Sequence, residues 1–482
     1  MAERIIGREA QIEQLKKYVN SDRSEFIAVY GRRRVGKTFL IRNAFAGKFS
    51  FSVTGIHNAS KAEQLVNFAV ALQKYSGTEQ IQIDKSWVLA FHRLATYLET
   101  LRKGPKVVFI DELPWMETHK SGFVNALENF WNGWASARGD IKLIVCGSAT
   151  SWIISNIIRS RGGLHNRVTH KMLVEPFHLK ECEEYFKAYK FDMTKDHIAE
   201  CYMVMGGVPY YMSLMDRGLS LAENIDRLFF QKNAELENEF NELYNSLFRN
   251  PAPYISIIEA LASKGTGFTR KELIEKTALA DNGGFSMMLE ELELCGFIRS
   301  YLPYENIRGY RDQGKRIKRN TLYQLIDFYT IFYYAFLKGK RFRDSKFWES
   351  SYNEPVLNIW RGIAFEKLCL YHESEVKRAL GIEGIQSNVC SWLSKDSQPK
   401  VQIDMIIDRK DNALNLCEMK YTAKDFVIDK KYYENLTNKL ETFREESMTR
   451  KSIIMTMVTN HGVVHNRYRE IVRRQVLLKD LF

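Results

Sequence analysis

At 482 residues the chain has length for roughly three domains and more than one core, which excludes a single small fold. Hydrophobic residues make up 45% and charged residues 27%, with only 9 prolines, an ordinary globular balance that excludes a largely disordered or low-complexity chain. The 70 Lys and Arg exceed the 58 Asp and Glu, and the net charge of +12 leans toward polyanionic partners such as nucleotides, DNA or RNA.

The 7 cysteines are scattered without the C-x-x-C pairs of a zinc site, so they read as buried thiols. The first ten residues carry charges where a secretion signal needs an apolar stretch, and residues 323–337, the most apolar-looking segment, contain Asp327. The expectation is a cytoplasmic chain with no signal peptide and no membrane partner.

In chain order, short runs rich in Val, Ile and Phe at residues 26–30, 49–53, 106–111 and 142–147 predict strands, with amphipathic helices between them. That alternation is the rhythm of a parallel sheet covered by helices. Strands stop around Glu175-Pro176-Phe177, and helical patterns follow at 180–189, 197–203 and 222–229. Beyond residue 250 come a helix at 254–262, a capping box Thr269-Arg270-Lys271-Glu272 opening a second helix, and a third helix at 284–295. Strands at 297–301 and 322–324 then complete a winged-helix pattern. An aromatic-rich helical stretch follows, then a strand pair at 401–407 and 413–421. The predicted domains are therefore 1–175 (parallel α/β), 176–250 (helical lid), 251–325 (winged helix) and 326–482 (α/β).

The first strand runs into Gly31-Arg32-Arg33-Arg34-Val35-Gly36-Lys37-Thr38, with Phe39 opening the next helix. This is G-x-x-x-x-G-K-T between a strand and a helix, the context in which successive backbone N–H groups and a helix N-terminus cradle phosphate. Lys37 would reach the β and γ phosphates of ATP, and Thr38 would place its hydroxyl on Mg²⁺. The strand at 106–111 ends in Asp111-Glu112, where Asp111 would hold the metal through water and Glu112 would polarise the attacking water. Ser148-Ala149-Thr150-Ser151, after the next strand, reads either as a γ-phosphate sensor or as a helix cap. Arg161 and Arg167 read either as a cationic finger or as a basic surface loop.

The phosphate loop, the Asp111-Glu112 acids, the Gly147-Ser148 strand end and Gly206-Gly207-Val208-Pro209 resemble the archaeal-type ATPases of the STAND branch of AAA+-related P-loop proteins, over about the first 330 residues. The resemblance implies that Pro209 lies near the adenine on a helical lid, that Ile6-Gly7-Arg8-Glu9 packs near the base, and that the domain acts as a nucleotide-driven switch.

At the other end of the chain, Asp404 and Glu418-x-Lys420 lie on the predicted strand pair. Residues two apart on a strand share a face, and a hairpin can bring Asp404 alongside them. Two carboxylates and a lysine suit a divalent metal and an activated water. Asp404, thirteen residues, then Glu418-x-Lys420 resembles the PD-(D/E)XK nuclease core, with Ile403 where the motif's proline usually stands. The resemblance makes residues 360–369 the first helix of a restriction-endonuclease-like fold, with Glu366 its additional metal acid; alternatively Glu366 pairs with Arg361. A degenerate, non-cutting version of the fold stays open.

Arg299, Arg308, Arg311, Lys315, Arg316, Lys318 and Arg319 surround the predicted wing, which would either lie on nucleic-acid phosphates or act as an intramolecular clamp. The expected function is an ATP-hydrolysing switch controlling a Mg²⁺-dependent DNA nuclease, and the resemblance implies a setting in mobile-element control or defence. The rival is a non-catalytic ATP-dependent regulator that binds DNA. The expected partners are ATP and DNA, with a homo-oligomer left open.

Overall fold

The computed structural model describes residues 5–102, 104–160, 162–248, 250–304, 320–339 and 344–482. The chain divides into two compact units, residues 1–176 with 242–249, and residues 177–241 with 250–482.

The first unit is built on a five-stranded parallel sheet. Its strands are β1 (Glu25–Tyr30), β2 (Phe51–Thr54), β3 (Lys106–Asp111), β4 (Ile141–Gly147) and β5 (His170–Leu173), in the order β2-β3-β4-β1-β5. Alternate side chains on each strand enter different cores. Phe26, Ala28, Val108, Ile110, Leu143 and Val145 pack under helices Lys61–Ser76, Trp87–Thr100 and Phe123–Gly133. Ile27, Val29, Val107, Phe109, Ile144 and Cys146 pack on the other side with Leu15 of helix Glu9–Val19 and Leu40 and Ile41 of helix Lys37–Ala44. Burial on both faces explains why β1, β3 and β4 read as continuous apolar runs.

Two details differ from the sequence expectation. The second strand begins at Phe51 rather than residue 49, and β5 was not foreseen. Only Met172 of its four residues is buried, so a short edge strand shows no apolar run to read.

The second unit opens with helices Leu179–Ala188, Lys195–Met205 and Pro209–Ser213. Helices Ala252–Ala262, Arg270–Thr277 and Gly283–Leu294 follow, with a three-stranded antiparallel sheet of β6 (Phe268–Thr269), β7 (Ile298–Tyr301) and β8 (Leu322–Leu325). The capping box forms as read, with the Thr269 hydroxyl accepting from Glu272 N–H and the Glu272 carboxylate from Thr269 N–H. The third strand of this sheet, β6, is two residues long and left no pattern in the sequence.

The last part of the unit holds β9 (Ser387–Leu393), β10 (Gln402–Arg409), β11 (Ala413–Lys420), β12 (Ser452–Thr459) and β13 (Arg474–Leu477) in the order β13-β12-β11-β10-β9. The strands β9, β10 and β11 are antiparallel, whereas β11, β12 and β13 are parallel, and helix Lys430–Ser447 lies in the chain between β11 and β12. A hairpin was expected and a five-stranded mixed sheet is present.

Helix Pro355–Tyr371 carries Arg361, whose guanidinium donates to Glu200 Oε1 from Nε at 3.2 Å and Nη2 at 2.8 Å. Trp348 Nε1 donates to the same oxygen at 3.0 Å. Both charges are buried, and the shared hydrogen bonds offset the desolvation of such a pair. Arg361 is thus the partner of Glu200, not of Glu366. All 7 cysteines are free and buried. Among the described residues no helix is long and apolar enough to cross a membrane.

Candidate functional site

In the first unit, β1 ends at Tyr30 and helix Lys37–Ala44 starts at the end of the glycine loop. Gly31 has φ +144°, and a Cβ there would fall 2.2 Å from the Val174 carbonyl oxygen, so only glycine fits. Gly36 closes the loop in the left-handed region at φ +88° and leads directly into the helix. The loop carbonyl of Val35 accepts from Arg8 at 3.4 Å, and that guanidinium also donates to Glu175 O at 2.6 Å. The amino-terminal element is therefore fastened to the loop.

Lys37 is buried, and its ammonium donates at 2.8 Å to the carbonyls of both Gly31 and Arg32. The side chain spans the loop interior, at the mouth of a helix N-terminus. Thr38 Oγ1 lies 3.1 and 3.0 Å from the two carboxylate oxygens of Asp111, on β3. Burial and the neighbouring Glu112 charge push the Asp111 carboxyl up, while the Thr38 hydrogen bond pulls it back. A buried carboxylate beside a hydroxyl at the foot of a phosphate loop is a hard-oxygen donor pair, and Mg²⁺ is commonly held by one or two such groups plus substrate phosphates. Thr38 and Asp111 therefore fit that cation.

Glu112 sits at φ +47°, ψ +46°, a conformation a non-glycine residue adopts at a cost of order 1–3 kcal/mol. The turn aims its carboxylate at the end of β4, where Glu112 Oε2 accepts from Ser148 N–H and Ser148 Oγ, both at 3.0 Å. Ser148 thus orients Glu112 and does not cap the helix Thr150–Ile153, whose N-cap is Ala149, with no side-chain cap hydrogen bond. Thr150 and Ser151 are buried.

Val35 is buried and Phe39 is half-buried on the helix. Arg33 and Arg34, expected at the nucleotide, both engage Glu242: Arg34 Nη2 lies 3.2 Å from Glu242 Oε2, and Arg33 Nη1 donates to the Glu242 carbonyl at 3.2 Å. Nothing in the sequence flagged Glu242, which is 208 residues from Arg34. Arg167 is exposed, and Arg161 lies outside the described residues.

In the second unit, Gly207 at φ +65° faces the Phe177 carbonyl, which a Cβ would approach to 2.2 Å. Pro209 starts the helix Pro209–Ser213 directly after it. Of the predicted basic wing, Arg308 to Arg319 lie outside the described residues. Arg299 donates to Gln324 on the neighbouring strand at 2.8 Å and lies over the Tyr301 ring, so it serves the sheet.

Asp404 lies on β10 next to an irregularity in its pairing with β9, and Glu418 and Lys420 lie on β11. The next residues outward from the Met405–Cys417 pair of this ladder are Asp404 and Glu418. Glu366, on helix Pro355–Tyr371, interacts electrostatically with Asp404, Lys420 and Glu418, so the four expected residues share one region. Burial, then the Asp404 charge, push the Glu366 carboxyl up to about 7. Lys367 beside it is buried, and burial with the nearby Arg299 pushes its ammonium down to about 8.

Burial alone would raise the Glu418 carboxyl too, but Lys439 and Lys420 hold it below the ordinary range. Lys439 Nζ lies 2.7 Å from Oε2, Lys420 Nζ 3.2 Å from Oε1, and Tyr432 donates to Oε1 at 2.6 Å. Tyr432 and Lys439 come from helix Lys430–Ser447, and no spacing signal tied them to β11. Among the described residues no group of three or more His, Cys, Asp or Glu is arranged to hold a metal ion. The three acids Glu366, Asp404 and Glu418 therefore do not form a ready metal seat, because lysines already hold Glu418.

The raised Glu366 has a consequence for stability. Its ordinary value is 4.5, so between pH 4.5 and about 7 the folded chain keeps a proton that the unfolded chain releases. Stability should fall as pH rises through that window and level off above it, by on the order of 3 kcal/mol. Glu366→Gln is expected to flatten this slope and to raise the denaturant midpoint at pH 8, measured by urea unfolding at pH 5 and pH 8.

A family model for an ATPase domain predominantly from Archaea matches residues 5–215. An uncharacterized protein of Methanocaldococcus jannaschii is 23% identical over 257 residues, covering 53% of this chain and 54% of the relative. The chain thus spans about half the length of the curated relative it matches. Among solved structures, a Walker-type ATPase of Pyrococcus abyssi aligns with a TM-score of 0.47 at 18% identity, over 68% of this chain and 95% of that one. The Aeropyrum pernix ORC2 protein, in its ADPNP-ADP complexes, aligns with a TM-score of 0.39 at 14% identity, over 68% and 93%. Residues 5–215, with the glycine loop, Lys37, Thr38 and the Asp111-Glu112 acids in place, are thus similar to an ATPase domain found predominantly in Archaea.

Proposed function

We propose that the chain is an ATP-binding and ATP-hydrolysing switch whose nucleotide state controls its carboxy-terminal sheet domain. The observation that carries the reading is the 3.0–3.1 Å approach of Thr38 Oγ1 to both Asp111 oxygens, with Glu112 one residue on and oriented by Ser148. Lys37 leaves the Gly31 and Arg32 carbonyls to meet the phosphates, which approach the backbone N–H groups of the loop. Glu112 orients the attacking water and accepts its proton at a carboxylate oxygen. Thr38 and Asp111 are the residues that would hold Mg²⁺, which when bound neutralises charge on the phosphate oxygens. The short helix that Pro209 starts is read as part of a helical lid, and helices Ala252–Ala262, Arg270–Thr277 and Gly283–Leu294 with β6, β7 and β8 are read as a winged helix.

The experiment is calorimetric titration of the full chain with a non-hydrolysable ATP analogue and Mg²⁺. The parent is expected to bind, and Lys37→Ala to lose at least about tenfold in affinity, one charge-assisted contact's worth. Equal affinity of the two proteins overturns the reading.

The proposal extends to the sheet domain as a DNA nuclease, on the gathering of Asp404, Glu418 and Lys420 on adjacent strands with Glu366 beside them. The ion pairs that hold Glu418 favour a second reading, in which the domain recognises DNA without cutting it. Cleavage assays of the parent, Asp404→Ala and Lys420→Ala chains separate the two.

A further inference from the structure

The phosphate loop concentrates positive charge. Arg33 and Arg34 stand within it, Lys37 opens the helix, and the helix N-terminus adds its own partial charge. Arg34 is itself in the left-handed region at φ +70°, a turn that carries its side chain toward Glu242. Glu242 belongs to helix Glu239–Leu247, and the border of the two units falls inside that helix, Glu242 counting with the ATPase unit. Leu243, Tyr244 and Leu247 of the same helix are buried and fix its position. Glu242 by contrast leaves 53% of its side chain exposed, against 16% for Arg34 and 36% for Arg33.

A structural clamp would bury its charges. This pair is open to solvent on the acid's side, where ion pairs are weak and exchange readily for a stronger anion. The helix is held by its apolar face, so Glu242 contributes little to keeping it folded. A nucleoside triphosphate brings several negative charges to the same loop, and Glu242 must either yield the guanidinium groups or repel it.

We propose that Glu242 is a built-in counter-anion of the phosphate loop: its carboxylate holds Arg34 and Arg33 while the loop is empty, and the phosphates of an arriving nucleotide displace it. The inference rests on the ATP-binding reading and adds its regulation. No covalent step is involved.

The test uses the full chain, Mg²⁺ and a non-hydrolysable ATP analogue. Glu242→Gln keeps the size of the side chain and removes its charge, and is expected to tighten analogue binding about two- to fivefold, with adenosine affinity unchanged. In an Arg34→Ala background the same substitution should change affinity by much less, because the cycle isolates the pair. If the parent binds the analogue but Glu242→Gln binds it no more tightly, or if the gain persists undiminished without Arg34, the counter-anion assignment is overturned while the ATP reading stands. A parent that binds no analogue overturns both.

Discussion

Glu112→Gln is expected to lower the rate of ATP hydrolysis about 10²–10⁴-fold while leaving nucleotide affinity within a few-fold. Three features support the proposal that this residue, rather than Asp111, acts on water. Asp111 is buried, with the Thr38 hydroxyl between its two oxygens and the Glu112 N–H on one of them, a placement that suits a metal acid. Glu112 is held in a costly left-handed turn, and the strain is tolerated where it re-aims a side chain. Ser148 fixes one of its oxygens with two hydrogen bonds at 3.0 Å and thereby orients the other. The amide of Gln keeps the hydrogen-bond acceptor and the size but cannot take a proton, so the loss should fall on kcat. Phosphate release under saturating ATP, alongside analogue titration, gives the two numbers. Undiminished turnover in Glu112→Gln would remove Glu112 from the reaction.

Under the proposed nuclease reading, Asp404→Ala and Lys420→Ala are each expected to reduce DNA cleavage about 10²–10³-fold, with ATP hydrolysis at the parent rate. The reason is placement. Asp404 and Glu418 are the residues just beyond the Met405–Cys417 pair, and Lys420 follows Glu418 on the same face of β11. A phosphodiester entering there would meet two acids and a cation together. Plasmid and single-stranded DNA, incubated with and without Mg²⁺ and ATP, provide the assay. A parent chain that retains DNA yet cuts none of it under any of these conditions would establish the second reading, with Lys439 and Tyr432 as the reason: they occupy the Glu418 oxygens that a hydrolytic site would need.

Much of the ATPase half was legible in the chain alone. The glycine loop has a fixed spacing because backbone geometry has few ways to wrap a phosphate, and Gly31 illustrates it: the Val174 carbonyl leaves no room for any Cβ. The strands β1, β3 and β4 were readable because burial on both faces forces apolar runs. The edge strand β5, with one buried residue in four, gave no such signal. In the carboxy-terminal domain β10 and β11 were found, while β9, β12 and β13 were not, although β12 is an eight-residue strand with Ile, Met and Val in it. It pairs in parallel with β11, across an 18-residue helix, and with β13, and nothing local announces a parallel pairing.

What the sequence determined by itself was chemistry that depends on neighbours along the chain: a strand, a glycine turn and a helix that present Lys37 and Thr38, and two consecutive acids at a strand end. Tertiary structure alone decided which charges meet. Glu242 reaches Arg34 across 208 residues, Arg361 is claimed by Glu200 rather than by Glu366, and Glu418 is shared by Lys420 and Lys439. The physical reason is that a charge pair requires only proximity in space and matching sign, and neither leaves a periodic mark on the chain, whereas backbone conformation and burial do.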